Sequence, residues 1–421
     1  MSEKKGSTDK ANPIVLLIST SPSYSPARLS MAMAKRGFET EAVCPAEHSL
    51  RKIRTIRKVY SYNCLAPFRS ISKAIVAANP DLVIPCDDWA ASLLHEVYLR
   101  ASRKSNPETM IPSLIERSLG SPQNFQIAYE RAPLLELAEQ EGLRVPKIRV
   151  VRSGNDLKKW QSEVGFPAVL KANGTSGGDG VRIARTLEEA ERAFSSLEAP
   201  PLLAKAIKRV LFDKDMALLW PALLRKRYVV NVQTFVVGRD ATSAIACWKG
   251  QVLASLHFEV LNKQDAGGPS TVLRLIENQD MVATAQKMTR RLQLSGLYGF
   301  DFILEAATGY AYLIEMNPRA TQVGHLALGP GHDLPAALYA AITGDEIRAT
   351  PRITDKDTIA LFPQEWLKNP VSEFLHSAYH DVPWEEPEFV STCLERRKKQ
   401  DSWYSVQKWV QALAKIRRAQ S

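Results

Sequence analysis

Two largely apolar, strand-like runs near residue 300 carry the side chains most able to do chemistry. Asp301 lies in the run 300–304, Glu315 lies in the run 310–316, and Asn317 follows directly. A Thr-Gly pair between the runs predicts a β-hairpin, which would place the two carboxylates on neighbouring strands. Carboxylate and amide oxygens suit Mg²⁺, which usually shares its site with phosphate groups. The alternative is a surface hairpin with solvated acids, although an unpaired charge inside an apolar run is costly.

A glycine-rich loop between two further apolar runs is the second candidate. Lys171 ends one of these runs, and the loop that follows holds four glycines: Gly174, Gly177, Gly178 and Gly180. Glycine lets backbone N–H groups approach phosphate oxygens closely, and Lys171 would add positive charge at the same place. The loop lacks the ending of a Walker motif, and it joins two strands, whereas a Rossmann fingerprint joins a strand and a helix. Taken alone, such a loop is more typical of a flexible turn than of a nucleotide site.

The two motifs together resemble the ATP-grasp ligase superfamily over roughly residues 120–345. Segment 166–171 (Phe-Pro-Ala-Val-Leu-Lys) with its glycine loop looks like the family's phosphate-covering hairpin, and segment 314–319 (Ile-Glu-Met-Asn-Pro-Arg) looks like its metal-binding strand. The resemblance implies ATP, Mg²⁺ or Mn²⁺, and three metal ligands: Asp301, Glu315 and Asn317. It also implies that Lys171 and Arg319 are catalytic residues. The phosphates would be bound by the loop, through Gly174, Ser176, Gly177, Gly178 and Gly180.

Segment 229–240 resembles the strand that links the two halves of the family's ATP site. Where the family usually places a carboxylate for the adenine amino group, this chain has Gln233, whose amide oxygen can accept the same hydrogen bond. The resemblance implies that the backbone near Phe235 and Val236 recognises the adenine edge and that Asp240 holds the ribose hydroxyls. Without the flanking motifs, the segment would be an ordinary buried strand.

One position departs from the family pattern. The family usually has a second ATP-contacting lysine eleven residues before the glycine of a Gly-x-x-x-Pro segment. Here that segment is 142–146, and the corresponding residue is Arg131. Arginine can neutralise phosphate, but with a planar fork instead of a compact ammonium group. Together with Gln233, this departure leaves a non-catalytic ATP-binding regulator open.

The resemblance implies an ATP-dependent ligase that forms a C–N bond. A small-molecule carboxylate would be activated as an acyl phosphate, an amine would displace phosphate, and ADP and phosphate would be released. Besides the regulator, two alternatives remain, which are an ATP-grasp carboxylase or phosphotransferase and a membrane-surface or scaffold protein built on the basic C-terminal tail. The sequence identifies neither the acid nor the amine.

The elements that position these residues predict a three-part α/β protein. A chain of 421 residues is too long for one ordinary core. We expect an open-sheet, Rossmann-like domain over residues 1–112 and an ATP-grasp domain over residues 113–345. The latter would include a lid subdomain over about residues 147–230. A C-terminal segment with a basic tail, residues 346–421, would follow.

Two pairs of residues are weaker candidates for contacts with the acceptor substrate. Asp87 and Asp88 follow a predicted strand at its carboxyl end, where open α/β sheets bind ligands. They could contact a substrate cation, or Asp88 could cap the helix that follows. His325 and His332 lie in the loop after the metal-binding strand, and they could contact substrate or carry protons.

The formal charge of +10 is concentrated in two segments. Residues 51–80 hold seven basic residues and no acid, and residues 395–421 hold eight basic and two acidic residues. This distribution predicts local basic patches, and it does not predict a nucleic-acid-binding protein. Solvated faces are the simpler interpretation, while a contact of the tail with an anionic membrane surface and a homodimer stay open.

Cysteine usage and hydropathy bound the cellular setting. The five cysteines show no paired spacing, which is typical of reduced thiols and gives no metal site. No apolar run reaches the length of about 20 residues that spans a bilayer, and the polar N-terminus lacks the apolar region of a secretory signal. We therefore expect a cytoplasmic protein.

Overall fold

The computed structural model describes residues 12–103, 110–174, 180–200, 222–223, 225, 227–265, 267–347 and 351–398. In this part of the chain the strands form three sheets. Ser176, Gly177 and Gly178 of the glycine loop lie outside the described residues, and so does the basic tail after residue 398. Among the described helices, none combines the length and the apolar character needed to cross a bilayer. The five cysteines form no disulfide.

The first sheet is parallel, with the strand order β3-β2-β1-β4. Its strands are β1 Ile14–Ile18, β2 Glu39–Cys44, β3 Ile56–Ser61 and β4 Leu82–Pro85. The surrounding helices are α1 Ser25–Lys35, α2 Pro67–Ala78, α3 Asp88–Ser102 and α4 Met110–Leu119. β1 and β4 are almost wholly buried because helices cover both faces, as is usual for parallel strands that read as continuous apolar runs. The carboxyl ends of β1 and β4 face the rest of the molecule.

The second sheet is antiparallel, with the order β5-β8-β6-β7. Its strands are β5 Ile148–Val151, β6 Ala168–Ala172, β7 Val181–Ala184 and β8 Val230–Thr234. Two short helices precede it and two pack on it: α5 Phe125–Tyr129, α6 Arg131–Gln140, α7 Gly154–Glu163 and α8 Leu187–Glu198. The core of this layer contains Trp160 and Leu170. The glycine loop joins β6 to β7 and starts beside the paired residues Lys171 and Val181.

The third sheet has seven strands in the order β13-β12-β9-β10-β11-β14-β15. These are β9 Gly238–Trp248, β10 Gln251–Lys263, β11 Ser270–Leu275, β12 Gly296–Glu305, β13 Ala311–Asn317, β14 Thr358–Leu361 and β15 Tyr379–Asp381. Neighbours pair antiparallel except β14 and β15, which are parallel. Helix α9 (Gln279–Leu292) packs on one face and α10 (Leu334–Thr343) on the other. Strands from beyond residue 345 therefore complete the sheet that carries Asp301 and Glu315.

The predicted hairpin around residue 300 is strands β12 and β13. Asp301 and Glu315 are directly paired, and the register shifts immediately afterwards, so that Phe302 pairs with Leu313. Residues directly opposite each other in an antiparallel pair project from the same face. The shift leaves Ile314 as an extra residue, a bulge of the kind that re-aims side chains next to functional sites.

The C-terminal helices pack against α1, one of the helices that cover the first sheet. These helices are α11 Gln364–Lys368, α12 Phe374–Ser377 and α13 Pro387–Lys398. Phe362, Trp366 and Phe389 form one apolar cluster with Ala27 and Met31 of α1. This packing makes the segment after residue 345 part of the folded body.

Acidic side chains neutralise part of the basic segment 51–80. Arg57 pairs with Glu39 and Glu41 of the neighbouring strand, and Lys52 pairs with Glu388 across to α13. Arg54 pairs with Glu386 in the same region. Three of the seven basic residues of this segment are thus ion-paired, and two of them join the first sheet to the C-terminal helices.

Candidate active site

A cavity of about 1010 Å³ opens between the second sheet, the third sheet and the carboxyl ends of β1 and β4. Most of the residues singled out from the sequence line it: Lys171, Gln233, Phe235, Val236, Asp240, Asp301, Glu315, Asn317 and Arg319. These side chains come from strands of the second and third sheets and from the segments that follow β8 and β13, so the cleft between the sheets assembles them.

Asp301 and its neighbours form the acidic corner of the cavity. The Asp301 carboxylate accepts a hydrogen bond from Thr242 Oγ1 at 2.8 Å and another from Asn317 Nδ2 at 2.9 Å. Desolvation raises the pKa of Asp301, and the negative charge of Glu315 raises it further. The two donors act in the opposite direction but do not outweigh these effects. A cation between the two carboxylates would remove their repulsion, so this donor set fits a bound Mg²⁺.

Arg131 reaches this corner from the first residue of α6. Its Nη2 donates to Glu315 Oε1 at 2.8 Å, and its Nη1 donates to Asn173 Oδ1 at 3.3 Å. Asn173 Oδ1 also accepts from Asn231 Nδ2 at 2.8 Å. Sequence reasoning did not single out Asn173 or Asn231. Their nearness to Lys171, two residues away along β6 and opposite it on β8, was the available signal.

Lys171 is a buried cation beside the same acids. Burial lowers the pKa of its amine to about 8, and the nearby positive charge of Arg131 lowers it too. Glu315, Asp301 and Asp240 act in the opposite direction. Lys171 and Arg131 therefore lie close together among acidic side chains in a poorly solvated part of the cleft. A polyphosphate that binds there could contact both cations.

The two ends of the glycine loop, Gly174 and Gly180, are within the described residues. Gly174 has a φ of +73°, a conformation that side chains with a Cβ rarely adopt. Ala172 N donates to Gly180 O at 2.9 Å, which closes the base of the loop, and Gly180 is buried.

Apolar side chains line part of the same cavity, and we call this part the apolar slot. Val169 and Ile183 line it from the second sheet, and Ile303 and Ile314 line it from the β12–β13 hairpin. Ile183 is 49% exposed, which is unusual for an isoleucine on a strand unless the strand faces a cleft. Sequence reasoning missed these four residues, although their strand positions next to the motifs were the available signal.

Polar groups at the edge of this slot lack partners. Gln233 is 1% exposed, and its Nε2 makes no hydrogen bond within the described part of the chain. Among the described residues, the backbone of Val236 is also without a hydrogen bond. A flat aromatic base with donors and acceptors on its edge fits such a slot.

Asp240 lies at the mouth of the slot and is already paired. Its carboxylate contacts Lys263 Nζ of β10 at 2.7 Å, and the Asp240 side chain is 44% exposed. The exposed carboxylate oxygens can still accept hydrogen bonds from hydroxyl groups. Sequence reasoning did not single out Lys263.

Arg319 stands between the acidic corner and the part of the cavity lined by the first sheet. Its Nε donates to Asp88 Oδ1 at 2.8 Å, and its Nη2 donates to Asn317 Oδ1 at 3.3 Å. Asp88 therefore does not cap α3, and that alternative is wrong. Asp87 is the cap, since it accepts from Ala90 N at 2.8 Å. The reason is that Asp87 is the last extended residue before the helix.

The two loop histidines do not line the cavity. His325 Nε2 contacts Asp381 Oδ2 at 2.6 Å, and His332 Nδ1 contacts the Ser255 carbonyl at 2.6 Å. Both side chains bind neighbouring elements, so a role as substrate contact or proton carrier has no support here.

The geometry agrees with comparisons to known proteins. Residues 136–328 match the family model of the carbamoyl-phosphate synthase L chain, ATP binding domain. The chain is 28% identical over 229 residues to the N-terminal section of the carbamoyl phosphate synthase large chain of Aquifex aeolicus, covering 52% of this chain and 38% of that protein. It is 25% identical over 356 residues to the carbamoyl phosphate synthase large chain of Pyrococcus furiosus, covering 81% of this chain and 30% of that protein. The chain thus spans about a third of the length of these curated relatives.

Solved structures share the fold at low identity. The N5-carboxyaminoimidazole synthase of Aspergillus clavatus, in complex with ADP and 5-aminoimidazole ribonucleotide, has a TM-score of 0.56 at 14% identity, over 80% of this chain and 78% of that chain. The biotin carboxylase domain of 2-oxoglutarate carboxylase from Hydrogenobacter thermophilus, with MgADP and bicarbonate, has a TM-score of 0.55 at 16% identity. The match covers 81% of this chain and 72% of that chain. The L-amino acid ligase of Bacillus licheniformis has a TM-score of 0.53 at 14% identity, and the match covers 81% of this chain and 77% of that chain.

The fold is the ATP-grasp fold, which these solved structures share over about four fifths of the chain. Residues 136–328 are similar to the ATP-binding domain of the carbamoyl-phosphate synthase L chain. The prediction of an α/β ATP-grasp fold is confirmed, and residues 136–328 match the predicted ATP-binding domain, while the ligase class stays a proposal. The reaction, the substrates and the roles of single residues stay proposals for this chain.

Proposed function

We propose that the chain is an ATP-dependent carboxylate–amine ligase that forms an acyl phosphate and releases ADP and phosphate. The observation that carries the proposal is the pairing of Asp301 with Glu315 inside a cleft that also holds Lys171 and Arg319. Two acids and two basic side chains beside an apolar slot suit a metal-bound nucleotide better than they suit an uncharged ligand.

Nucleotide binding is assigned to the slot and its rim. Gln233 and the backbone at Phe235 and Val236 would recognise the adenine edge, and Asp240 would hold the ribose hydroxyls. The glycine loop would cover the phosphates with backbone N–H groups. The loop residues assigned to this role are Gly174, Ser176, Gly177, Gly178 and Gly180. Arg131 would contribute positive charge to the same phosphates.

The metal ion and the basic residues would neutralise charge at different parts of the bound nucleotide and acid. Mg²⁺ or Mn²⁺, held by Asp301, Glu315 and Asn317, would neutralise charge on the phosphate oxygens during transfer. Lys171 would contact the phosphates from the floor of the cleft. Arg319 would orient the γ-phosphate or the acid's carboxylate with two parallel hydrogen bonds.

The proposed chemistry has two steps. A carboxylate oxygen of the acid attacks the γ-phosphorus, the bond to ADP breaks, and an acyl phosphate forms. The amine nitrogen then attacks the acyl carbon, phosphate leaves with the bonding electrons, and the nitrogen loses one proton. Closure of the glycine loop would exclude water, which would otherwise hydrolyse the acyl phosphate.

The organisation of the chain follows from this proposal. Residues 113–345 would bind ATP, with residues 147–230 as the lid. Residues 1–112 would help to form the acceptor site, because the carboxyl ends of β1 and β4 open into the same cavity. Small-molecule acids and amines are the proposed partners, while a cytoplasmic location and a homodimer stay predictions.

The test is release of ADP and phosphate from the purified full chain with Mg-ATP. Pools of small carboxylates are offered with and without pools of amines. We expect release that needs both an acid and an amine and that is lost in Glu315→Gln. The matched control is Glu163→Gln on helix α7, where Glu163 pairs with Arg149 and Lys159, and this variant should turn over like the parent.

The other outcomes separate the alternatives. Release that needs an acid but no amine would indicate a carboxylase or phosphotransferase. ATP binding without release from any pool would indicate a regulator. Turnover of Glu315→Gln at the parent rate would show that the metal assignment is wrong.

A further inference from the structure

Arg131 connects the proposed metal site to the proposed phosphate site. Its guanidinium lies against Glu315 on one side and Asn173 on the other, at 2.8 Å and 3.3 Å. Glu315 is one of two carboxylates in the acidic corner, and Asn173 is the residue that opens the glycine loop. One side chain therefore contacts both halves of the cleft.

The position of Arg131 is set by a chain of buried amides. Asn231, which is fully buried on β8, donates from Nδ2 to Asn173 Oδ1 at 2.8 Å, and the same oxygen accepts from Arg131. Arg131 itself is 8% exposed. Its guanidinium is therefore held in one place by packing and by the two amides.

The hydrogen bonding of Arg131 is incomplete. Within the described residues, its buried Nε has no hydrogen-bond partner. A guanidinium offers five N–H donors in a fixed fork, which matches the oxygens of a phosphate. Lys171 carries a second buried cation nearby, and the two repel each other. An incoming polyphosphate would satisfy the free donors and neutralise both cations.

A metal ion that binds without a nucleotide would leave Arg131 worse paired, whereas a polyphosphate would leave it better paired. To coordinate Glu315 fully, it would have to displace Arg131 and leave a buried guanidinium without its acid, which is strongly unfavourable. A nucleotide arriving first, or together with the metal, would provide the replacement anion. The order of binding therefore follows from the contacts of a single side chain.

We propose that Arg131, oriented by Asn173 and Asn231, prevents Glu315 from taking a metal ion until a nucleoside triphosphate has drawn the guanidinium onto its phosphates. Arg131 is in this sense a positioning residue that couples metal binding to nucleotide binding. The identity of the anion rests on the proposed function, whereas the competition between Arg131 and a metal for Glu315 does not.

The test measures Mn²⁺ binding to the full chain without nucleotide, by electron paramagnetic resonance. We expect weak binding in the parent and binding about tenfold tighter in Arg131→Met, because removing the guanidinium frees Glu315. Asn173→Ala should lie between the two. Arg149→Met removes another Arg–Glu pair, with Glu163, away from the cleft, and it should bind like the parent. Equal affinity of the parent and Arg131→Met would overturn the inference.

A second measurement, of ATP binding in the presence of EDTA, separates this inference from the proposed function. We expect the parent to bind metal-free ATP, Arg131→Met to bind it about tenfold more weakly, and Glu315→Gln to bind it no more weakly than the parent. Absence of ATP binding with or without metal would count against the proposed function, while the Mn²⁺ comparison would still judge the competition for Glu315.

Misfolding of Arg131→Met is checked by its thermal unfolding and by a second variant. Arg131→Lys keeps the charge but lacks the fork, so it should bind Mn²⁺ with an affinity between those of the parent and Arg131→Met. If the folded Arg131→Lys variant bound Mn²⁺ no more tightly than the parent, and Arg131→Met did not either, the inference would be wrong.

Discussion

At the scale of single residues, the cleft holds charged side chains that are poorly solvated, and Lys171 is the clearest example. Lys171 is 7% exposed, and burial brings the pKa of its amine down to about 8. The residue therefore carries most of its charge at pH 7 and loses it as the pH rises through about 8. A bound polyphosphate would favour the charged form.

This titration predicts how nucleotide affinity depends on pH. The Lys171 amine is charged below pH 8 and neutral above it, so the affinity of the nucleotide-free protein for ATP should fall as pH rises from 7 to 9. Calorimetric titration at constant ionic strength measures this. Lys171→Arg keeps its charge over the whole range, and its affinity should stay level. The same decline in Lys171→Arg would mean that another group is responsible.

Single residues also show what the sequence can and cannot predict. The nearness of Asp301 and Glu315 was predictable because the two lie in one hairpin. Their direct pairing depends on the bulge at Ile314, which the turn and the strand period do not predict. The contact between Arg131 and Glu315 was not predictable either, since it joins residues 184 positions apart. Contacts of this kind depend on how α6 docks against β13, and no local pattern encodes that docking.

At the scale of elements, the junction between β4 and α3 is held by one carboxylate. Asp87 accepts from the backbone of Ala90 at 2.8 Å and from both the amide and the hydroxyl of Thr20 at 2.6 Å, and Ser19 Oγ donates to it at 3.1 Å. The residue thus caps a helix and joins the ends of two parallel strands. Asp88, which contacts Arg319, is positioned by this junction.

Removal of this carboxylate should destabilise the protein strongly. Asp87→Ala leaves three donors without an acceptor in a partly buried place, whereas Ser19 Oγ can still donate to Ser21 O. We expect a loss of about 2–4 kcal/mol in the free energy of unfolding. The comparison is Asp156→Ala, which removes the exposed capping box of α7 and should cost about 1 kcal/mol. Urea unfolding measures both. Equal losses would mean that the contacts between Asp87 and β1 contribute nothing.

Helix ends were less predictable than helices. The apolar period predicted a helix after residue 88, but Asp87 and Asp88 are both good capping residues, and local preference does not choose between them. The choice is made by Thr20 and Ser19, which lie 67 and 68 residues away in the sequence.

At the scale of the whole molecule, five of the seven histidines are held in their neutral form. Burial lowers the pKa of His48, His257 and His380 to about 4 and that of His95 to about 3, and it also lowers the pKa of His325. For His48, desolvation by burial is the main cause of the lowered pKa, and the positive charge of Arg51 acts in the same direction.

These histidines predict acid instability. Below about pH 6.5 the unfolded chain binds protons that the folded chain does not, so the free energy of unfolding should fall as pH drops from 6.5 towards 4. Each such proton contributes about 1.4 kcal/mol per pH unit. Urea unfolding at several pH values measures the slope. His95→Phe, which keeps the stacking on Phe125, should lower the slope, and an unchanged slope would exclude His95 as a contributor.

The fold class was predictable from two motifs, but the completion of the third sheet was not. Strands β14 and β15 are only four and three residues long and carry no motif. β14 pairs with β11, β15 pairs with β14, and both pack in the same core as α1, which is distant in sequence. Short buried strands of this kind acquire their structure from tertiary contacts.

The pairing of β11 with β14 has a practical consequence for any shortened version of this protein. A fragment cut to the matched segment, residues 136–328, would keep the acidic corner and lose β14. The backbone of β11 would then become an open edge, and its residues 270–273, now buried, would be uncovered beside it. An uncovered edge with apolar neighbours recruits strands from other chains, so such a fragment would aggregate however well its ATP site were preserved.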